Sequence, residues 1–145
     1  MRRTALLLIW AGALSACGQL LGPSSGGDPS GVYSYLAQIG NAPVVEGRLT
    51  LVVADDSSVT GTWELQRVPA SDTTITVGPQ LGRGTLRGQL AASGLWLDLN
   101  PGWADNNVFL SLSTKTAAAL TGLWDHSTLL GSVAGGPVWL RRVLR

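Results

Sequence analysis

From residue 31 onward the apolar residues of this chain recur at every second position, and that period constrains the fold more than any other feature. In "EGRLTLVVA" (Glu46–Ala54), Leu49, Leu51 and Val53 share one face while Arg48 and Thr50 take the other. "SVTGTWELQR" (Ser58–Arg67) alternates Val59, Gly61, Trp63 and Leu65 with Thr60, Thr62, Glu64 and Gln66. "GTLRGQLA" (Gly84–Ala91), "GLWLDLN" (Gly94–Asn100) and "NVFLSLS" (Asn107–Ser113) repeat the pattern. Side chains alternate across a strand, so such runs predict strands with one buried face. "GVYSYLAQI" (Gly31–Ile39), "AALTGLWD" (Ala118–Asp125) and "GPVWLRRV" (Gly136–Val143) read as strands with less regular alternation.

Turn-forming stretches separate these runs: "GNAP" at 40–43, "DDSS" at 55–58, "ASG" at 92–94 and "NPGWADN" at 100–106. The longest gap, Pro69 to Leu81, holds "TTITV" and reads as a short extra strand or a mobile loop. "TKTAAAL" (Thr114–Leu120) is the best helical candidate, and it is short. Eight strands on short connections favour a meander, and closing it removes the exposed edges. The expectation is an all-β, eight-stranded antiparallel up-and-down β-barrel over residues 31–145, with a two-sheet sandwich as the alternative. Its strands are short for a membrane-spanning barrel, which needs about 9–11 residues each. Leu49, Leu51, Leu65, Leu86, Leu90, Leu97, Leu110 and Leu112 are expected inside with Trp63 and Trp124.

The N-terminus is of another kind. Met1-Arg2-Arg3 precedes "TALLLIWAGAL" (Thr4–Leu14), a charge-free apolar run of eleven residues. Basic residues, a short apolar stretch and then small residues form the layout of a signal peptide, and the run is too short for a spanning helix of about 20 residues. It ends in Leu14-Ser15-Ala16-Cys17, which resembles the lipobox of bacterial lipoproteins. That resemblance implies diacylglycerol on the Cys17 sulfur, cleavage before Cys17, and acylation, typically by palmitate, of the new N-terminus. Two or three acyl chains give stable membrane anchoring where one does not. Gly18, in place of the Asp that holds such proteins at an inner membrane, favours the outer one. The expected division is a signal peptide over 1–16, an anchor and Gly/Ser/Pro tether over 17–30, and the barrel over 31–145. "GQLLGPSSGGDPS" (18–30) would span roughly 20 Å as a random coil. Once Arg2 and Arg3 are removed, eight basic residues face nine acidic ones, and no basic stripe suggests nucleic acid. With Cys17 lipidated, no thiol is left for a disulfide, so the domain depends on burial.

A Gly-x-Trp echo runs through the body: "VTGTWEL" at 59–65, "SGLWLDL" at 93–99 and "LTGLWDH" at 120–126. Glycine relieves crowding where a strand coils strongly, and tryptophan fills the space. The pattern resembles that of lipocalins and avidin-like barrels, which implies a shape; no set of biotin-binding residues aligns, and none is carried over.

Chemistry is sparse. His126 is the sole histidine, beside Asp125 at a strand end, and reads as a solvated turn residue. Asp55-Asp56 suits a tight turn. "GRGTLRG" (Gly82–Gly88) leads into a strand where a phosphate loop needs a helix. Arg141, Arg142 and Arg145 form a basic end read as solvated. The chain is expected to be no enzyme, with no catalytic residue, metal or cofactor. Two functions fit: a lipid-anchored barrel holding a small apolar ligand against Trp63, Trp124, Leu49, Leu51, Leu86 and Leu110, or a module docking an envelope protein, such as a lysozyme or protease inhibitor or an assembly factor, through Trp96, Trp103 and Trp139. Tryptophan is enriched at interfaces. An open apolar cavity would favour the first reading, and a filled core with exposed tryptophan the second. Cys17→Ser is expected to abolish lipidation and leave precursor or soluble protein, whereas mass spectrometry of the native N-terminal peptide should find an acylated Cys17.

Overall fold

The structure, a computed structural model, describes residues 27–144. Cys17, the signal peptide, most of the tether and Arg145 lie outside these residues. Eight antiparallel strands follow one another: β1 (Gly31–Ile39), β2 (Ala42–Val53), β3 (Ser58–Arg67), β4 (Gly82–Ala91), β5 (Gly94–Asp98), β6 (Asn107–Thr116), β7 (Ala119–Thr128) and β8 (Gly131–Arg142). Each pairs with the next, and β8 closes on β1 through Tyr33↔Arg142 to Ala37↔Val138, giving a closed barrel. Among the described residues there is no helix.

Several strands outrun their sequence limits. β2 begins at Ala42 rather than after Pro43, because a register shift between Ala37 and Gln38 lets Pro43 pair with Gln38 at the strand start. That is a position where proline's missing N–H is tolerated. Thr114–Leu120, the helical candidate, is instead the end of β6, a two-residue turn and the start of β7. β5 stops at Asp98, short of Asn100.

The period of two has the expected consequence. Leu49, Leu51, Leu65, Leu86, Leu97, Leu110 and Leu112 are all buried in one cluster with Trp63 and Trp124, while Leu90 is half-buried against it. Tyr33, Tyr35 and Ala37 carry the inner face of β1. Outside, β2, β3 and β4 present Arg48, Glu64, Arg83 and Arg87. An apolar interior under such a wall is the reverse of the arrangement in a membrane-spanning barrel.

Backbones crowd one another where the wall coils. A Cβ on Gly61 would meet the carbonyl oxygen of Thr50 on β2, and one on Gly122 would meet that of Ser111 on β6. Two residues on, Trp63 and Trp124 turn into the space, and each indole N–H finds a carbonyl: Trp63 Nε1 donates to Leu99 O at 2.7 Å and Trp124 Nε1 to Gln38 O at 2.9 Å. In the third echo, Gly94 precedes a tryptophan that points outward, so Trp96 is no plug.

The two ends of the barrel differ. The lower end carries the β2–β3, β4–β5 and β6–β7 turns and both chain ends; the upper end carries the β1–β2 turn, the 68–81 and 99–106 loops and the β7–β8 turn. Residues 28–30, read as tether, are fastened to the lower end. Arg142 Nη2 donates to Asp28 O (2.6 Å) and Ser30 O (2.8 Å), Tyr33 Oη donates to Pro29 O (2.8 Å), and Val53 N donates to Ser30 Oγ (3.0 Å). Arg142 also lies over the Tyr33 ring, 5.6 Å from its centroid, so it is a clamp and not a solvated strand end. Gly61→Ala and Gly122→Ala should each destabilise the domain by about 3 kcal/mol, the top of the overpacking range. Gly102→Ala, with open space around it, should stay within about 0.5 kcal/mol of the parent in urea unfolding.

Candidate functional site

The 68–81 loop is neither a strand nor free of the barrel: its second half folds into the upper mouth. Val77 and Gln80 are buried there, and Ile75 packs against the core. Gln80 is held at both ends of its amide, accepting from Tyr35 Oη at Oε1 (2.8 Å) and donating from Nε2 to Val77 O (2.6 Å). Burial pushes the Tyr35 hydroxyl far above its ordinary value, so it stays a donor at any ordinary pH.

A second polar layer ties that plug to the 99–106 loop. Asn100 Nδ2 donates to Pro79 O (2.9 Å), and its Oδ1 accepts from Val108 N (3.1 Å). Asp98, at the end of β5, accepts from Asn100 N (2.8 Å) and Asn107 Nδ2 (3.2 Å). His126 is buried on the inner face of β7, contrary to the solvated turn expected of it. Its Nε2 lies 2.5 Å from Asn106 Oδ1, and its ring lies so close to Gly78 that a Cβ there would overlap it. Glycine at 78, with φ +69°, therefore serves both the bend and the contact. These side chains tie the 68–81 and 99–106 loops to the mouth of the barrel. Among the described residues, no three His, Cys, Asp or Glu side chains lie together as metal ligands would. Asp56, in its exposed turn, accepts from Ser58 N (2.9 Å), which is the backbone role expected of it.

The residues expected to line a ligand cavity fill the interior themselves: Trp63, Trp124, Leu49, Leu51, Leu86 and Leu110 all belong to the core. Among the described residues, concavities of about 410–590 Å³ open on the outside or at the rim. One of about 590 Å³ lies over β2, β3 and β4 between Arg48, Glu64 and Arg83, with Thr50 and Thr62 beside them.

The three tryptophans expected at a partner surface separate into two places. Trp96 projects from β5 and stacks on Phe109 of β6, ring centroids 5.4 Å apart and planes 24° from parallel. Trp139 projects from β8 between Thr121 and Leu36, and with exposed Leu123 of β7 these side chains form an apolar belt on the outer wall. Trp103 stands apart on the upper rim, 55% exposed. It shares that rim with Leu81, Val133 and the tip of the β7–β8 hairpin, where Leu129 and Leu130 are 83% and 99% exposed. Asp105 fixes the tip by accepting from Leu129 N at 2.6 Å. Sequence reasoning missed this tip, although "TLLG" (128–131) offered a signal: two leucines where a hairpin turn calls for Asn, Asp or Gly.

The fold and its surfaces define a small closed β-barrel, plugged at one mouth, with apolar patches on its rim and outer wall. The chain matches no family model, no curated protein and no solved structure.

The Tyr35–Gln80 bond makes the plug sensitive to alkali. An unfolded tyrosine loses its proton near pH 10.0 while buried Tyr35 keeps its own. The stability this group contributes is complete below that pH and is lost above it, by up to ~1.4 kcal/mol per pH unit. Tyr35→Phe should flatten that alkaline slope in denaturant melts, and should cost about 1–3 kcal/mol at neutral pH by leaving Gln80 Oε1 without its donor.

Proposed function

We propose that this chain is a membrane-tethered, non-catalytic interaction module: a barrel fastened through lipidated Cys17 that docks an envelope protein with its upper rim. The observation that carries this reading is where the apolar surface lies. Side chains fill the interior and the 68–81 loop stoppers the mouth, whereas Leu129, Leu130 and Trp103 stand exposed on the rim. The side chains of Leu129 and Leu130 are left largely unburied by the fold, and full burial of each against a partner contributes roughly 1.5–3 kcal/mol. The placement of the chain entry agrees with this use. Asp28–Ser30 is clamped to the lower end, so the tether leaves the barrel at the end opposite the rim. The lipid anchor, the cell-envelope location and the outer membrane as host rest on the Leu14–Cys17 motif and Gly18.

The test is photo-cross-linking of the full-length protein in its native envelope, with a benzophenone side chain replacing Leu130. A discrete adduct with one envelope protein is expected, and Leu129→Asp should reduce it by about 30-fold, the effect of losing an interface hot spot. Adducts to lipid alone, or none, would remove the reading. Titration with fatty acids or fluorescent hydrophobes is expected to leave tryptophan emission without saturable change. A saturable change diminished by Trp63→Phe would restore the carrier function in its place.

A further inference from the structure

The outer wall of β5–β8 is ordered in rows, and the strand register fixes their order from the upper end downward. The first row holds Asp98, Phe109 and Asp125 on β5, β6 and β7; the second holds Trp96, Ser111, Leu123 and Pro137. The third holds Ser113, Thr121 and Trp139, and the fourth Ala119 and Arg141. The two middle rows, with Trp96, Leu123, Pro137 and Trp139, are therefore bounded above by Asp125, since Asp98 is buried and bonded to Asn100 and Asn107, and below by Arg141. Within a strand successive rows lie about 6.8 Å apart, and laterally the strands lie about 4.8 Å apart.

We infer that this wall pairs with the same wall of a second copy, in an antiparallel two-fold dimer centred on β7. The operator follows from the charges. A two-fold axis parallel to the strands would set acid rows against acid rows. An axis in the contact plane, perpendicular to the strands and between the second and third rows, exchanges the first row with the fourth and the second with the third. Asp125 of each copy then faces the region of Ala119 and its neighbour Arg141 in the other, and the ion pair occurs twice. The same operation matches shapes. Pro137 meets the second copy's Trp139, and Leu123 meets its Thr121. Trp96, on β5 and two strands round the closed barrel from β7, lies at the edge of this contact. One operator thus brings the acid of each copy to the base of the other and sets Leu123, Pro137 and Trp139 in the contact. A lipid surface fits poorly, since charged rows border the apolar ones on both sides.

The pairing does not use the rim side chains Leu129, Leu130 and Trp103. It is tested in the full-length protein, in membranes, with Leu123→Cys and a short bis-maleimide. The wild-type chain, with Cys17 as its one cysteine, and Thr60→Cys on the opposite wall are the controls. A covalent species of twice the monomer mass is expected from Leu123→Cys alone. Adding Asp125→Arg or Arg141→Asp should lower its yield about tenfold by setting like charges together; adding both should restore it to within about twofold. Arg141 is exposed, so its reversal keeps the test sound even where the change at Asp125, which accepts from Ser132 Oγ, disturbs the hairpin. Absence of the covalent dimer, equal yield from Thr60→Cys, an adduct with a different protein, indifference to single charge reversal, or failure of the double reversal to rescue would each overturn the dimer.

Discussion

Volume inside a narrow closed sheet is the constraint on which the rest of this structure depends. A barrel of eight strands has room for side chains and little else, and here two indoles and two phenols compete for that room with a wall of leucines. The competition is settled by glycine. Where Gly61 and Gly122 let neighbouring backbone carbonyls close in, Trp63 and Trp124 two residues later occupy the width thus left, with their N–H groups bonded to main-chain oxygens. A bulky side chain at either glycine and a small one at either tryptophan would be errors of opposite sign in one volume.

The ends obey the same logic with polar groups. Tyr33 and Tyr35 leave the wall of β1 two residues apart, and their hydroxyls are satisfied in different closures. Tyr33 binds carbonyls of the N-terminal segment and of the β6–β7 turn, while Tyr35 binds the amide of the 68–81 plug. Buried polar atoms are tolerable only when paired, so each hydroxyl fixes the segment that caps its end. With both ends occupied, the exposed leucines and tryptophans of the described residues lie on the rim and the outer wall.

Much of the barrel was legible because its strands bury a single face: Leu49, Leu51, Leu86 and Leu110 could be placed inside from alternation alone. β1 was less legible, since Tyr33 and Tyr35 compete with Val32 and Leu36 for the inner face. The outcome turns on distant hydroxyl acceptors that local pattern does not encode. The burial of His126 is opaque for the same reason, resting on Gly78 and Asn106 from two separate loops. Trp96 shows the limit of motif reading. Its Gly-x-Trp spacing equals that of Trp63 and Trp124, yet Leu95 and Leu97 take the inner parity of β5 and turn the indole outward. The three expected partner tryptophans could not be divided between rim and belt until the register was known.

The clamp at Arg142 has a mechanical meaning. In the proposed tethered form, force enters the barrel along β1, a strand bonded on both sides to β2 and β8. There, a pull between the proposed anchor and the proposed partner at the opposite rim would load β1 along its own length. Its ladder bonds lie across the strand direction, so they share the load in shear instead of parting one at a time. The Arg142 contacts to Asp28 and Ser30 meet the load first, at the lower end of the strand. A domain anchored as proposed would resist being drawn open by its own tether.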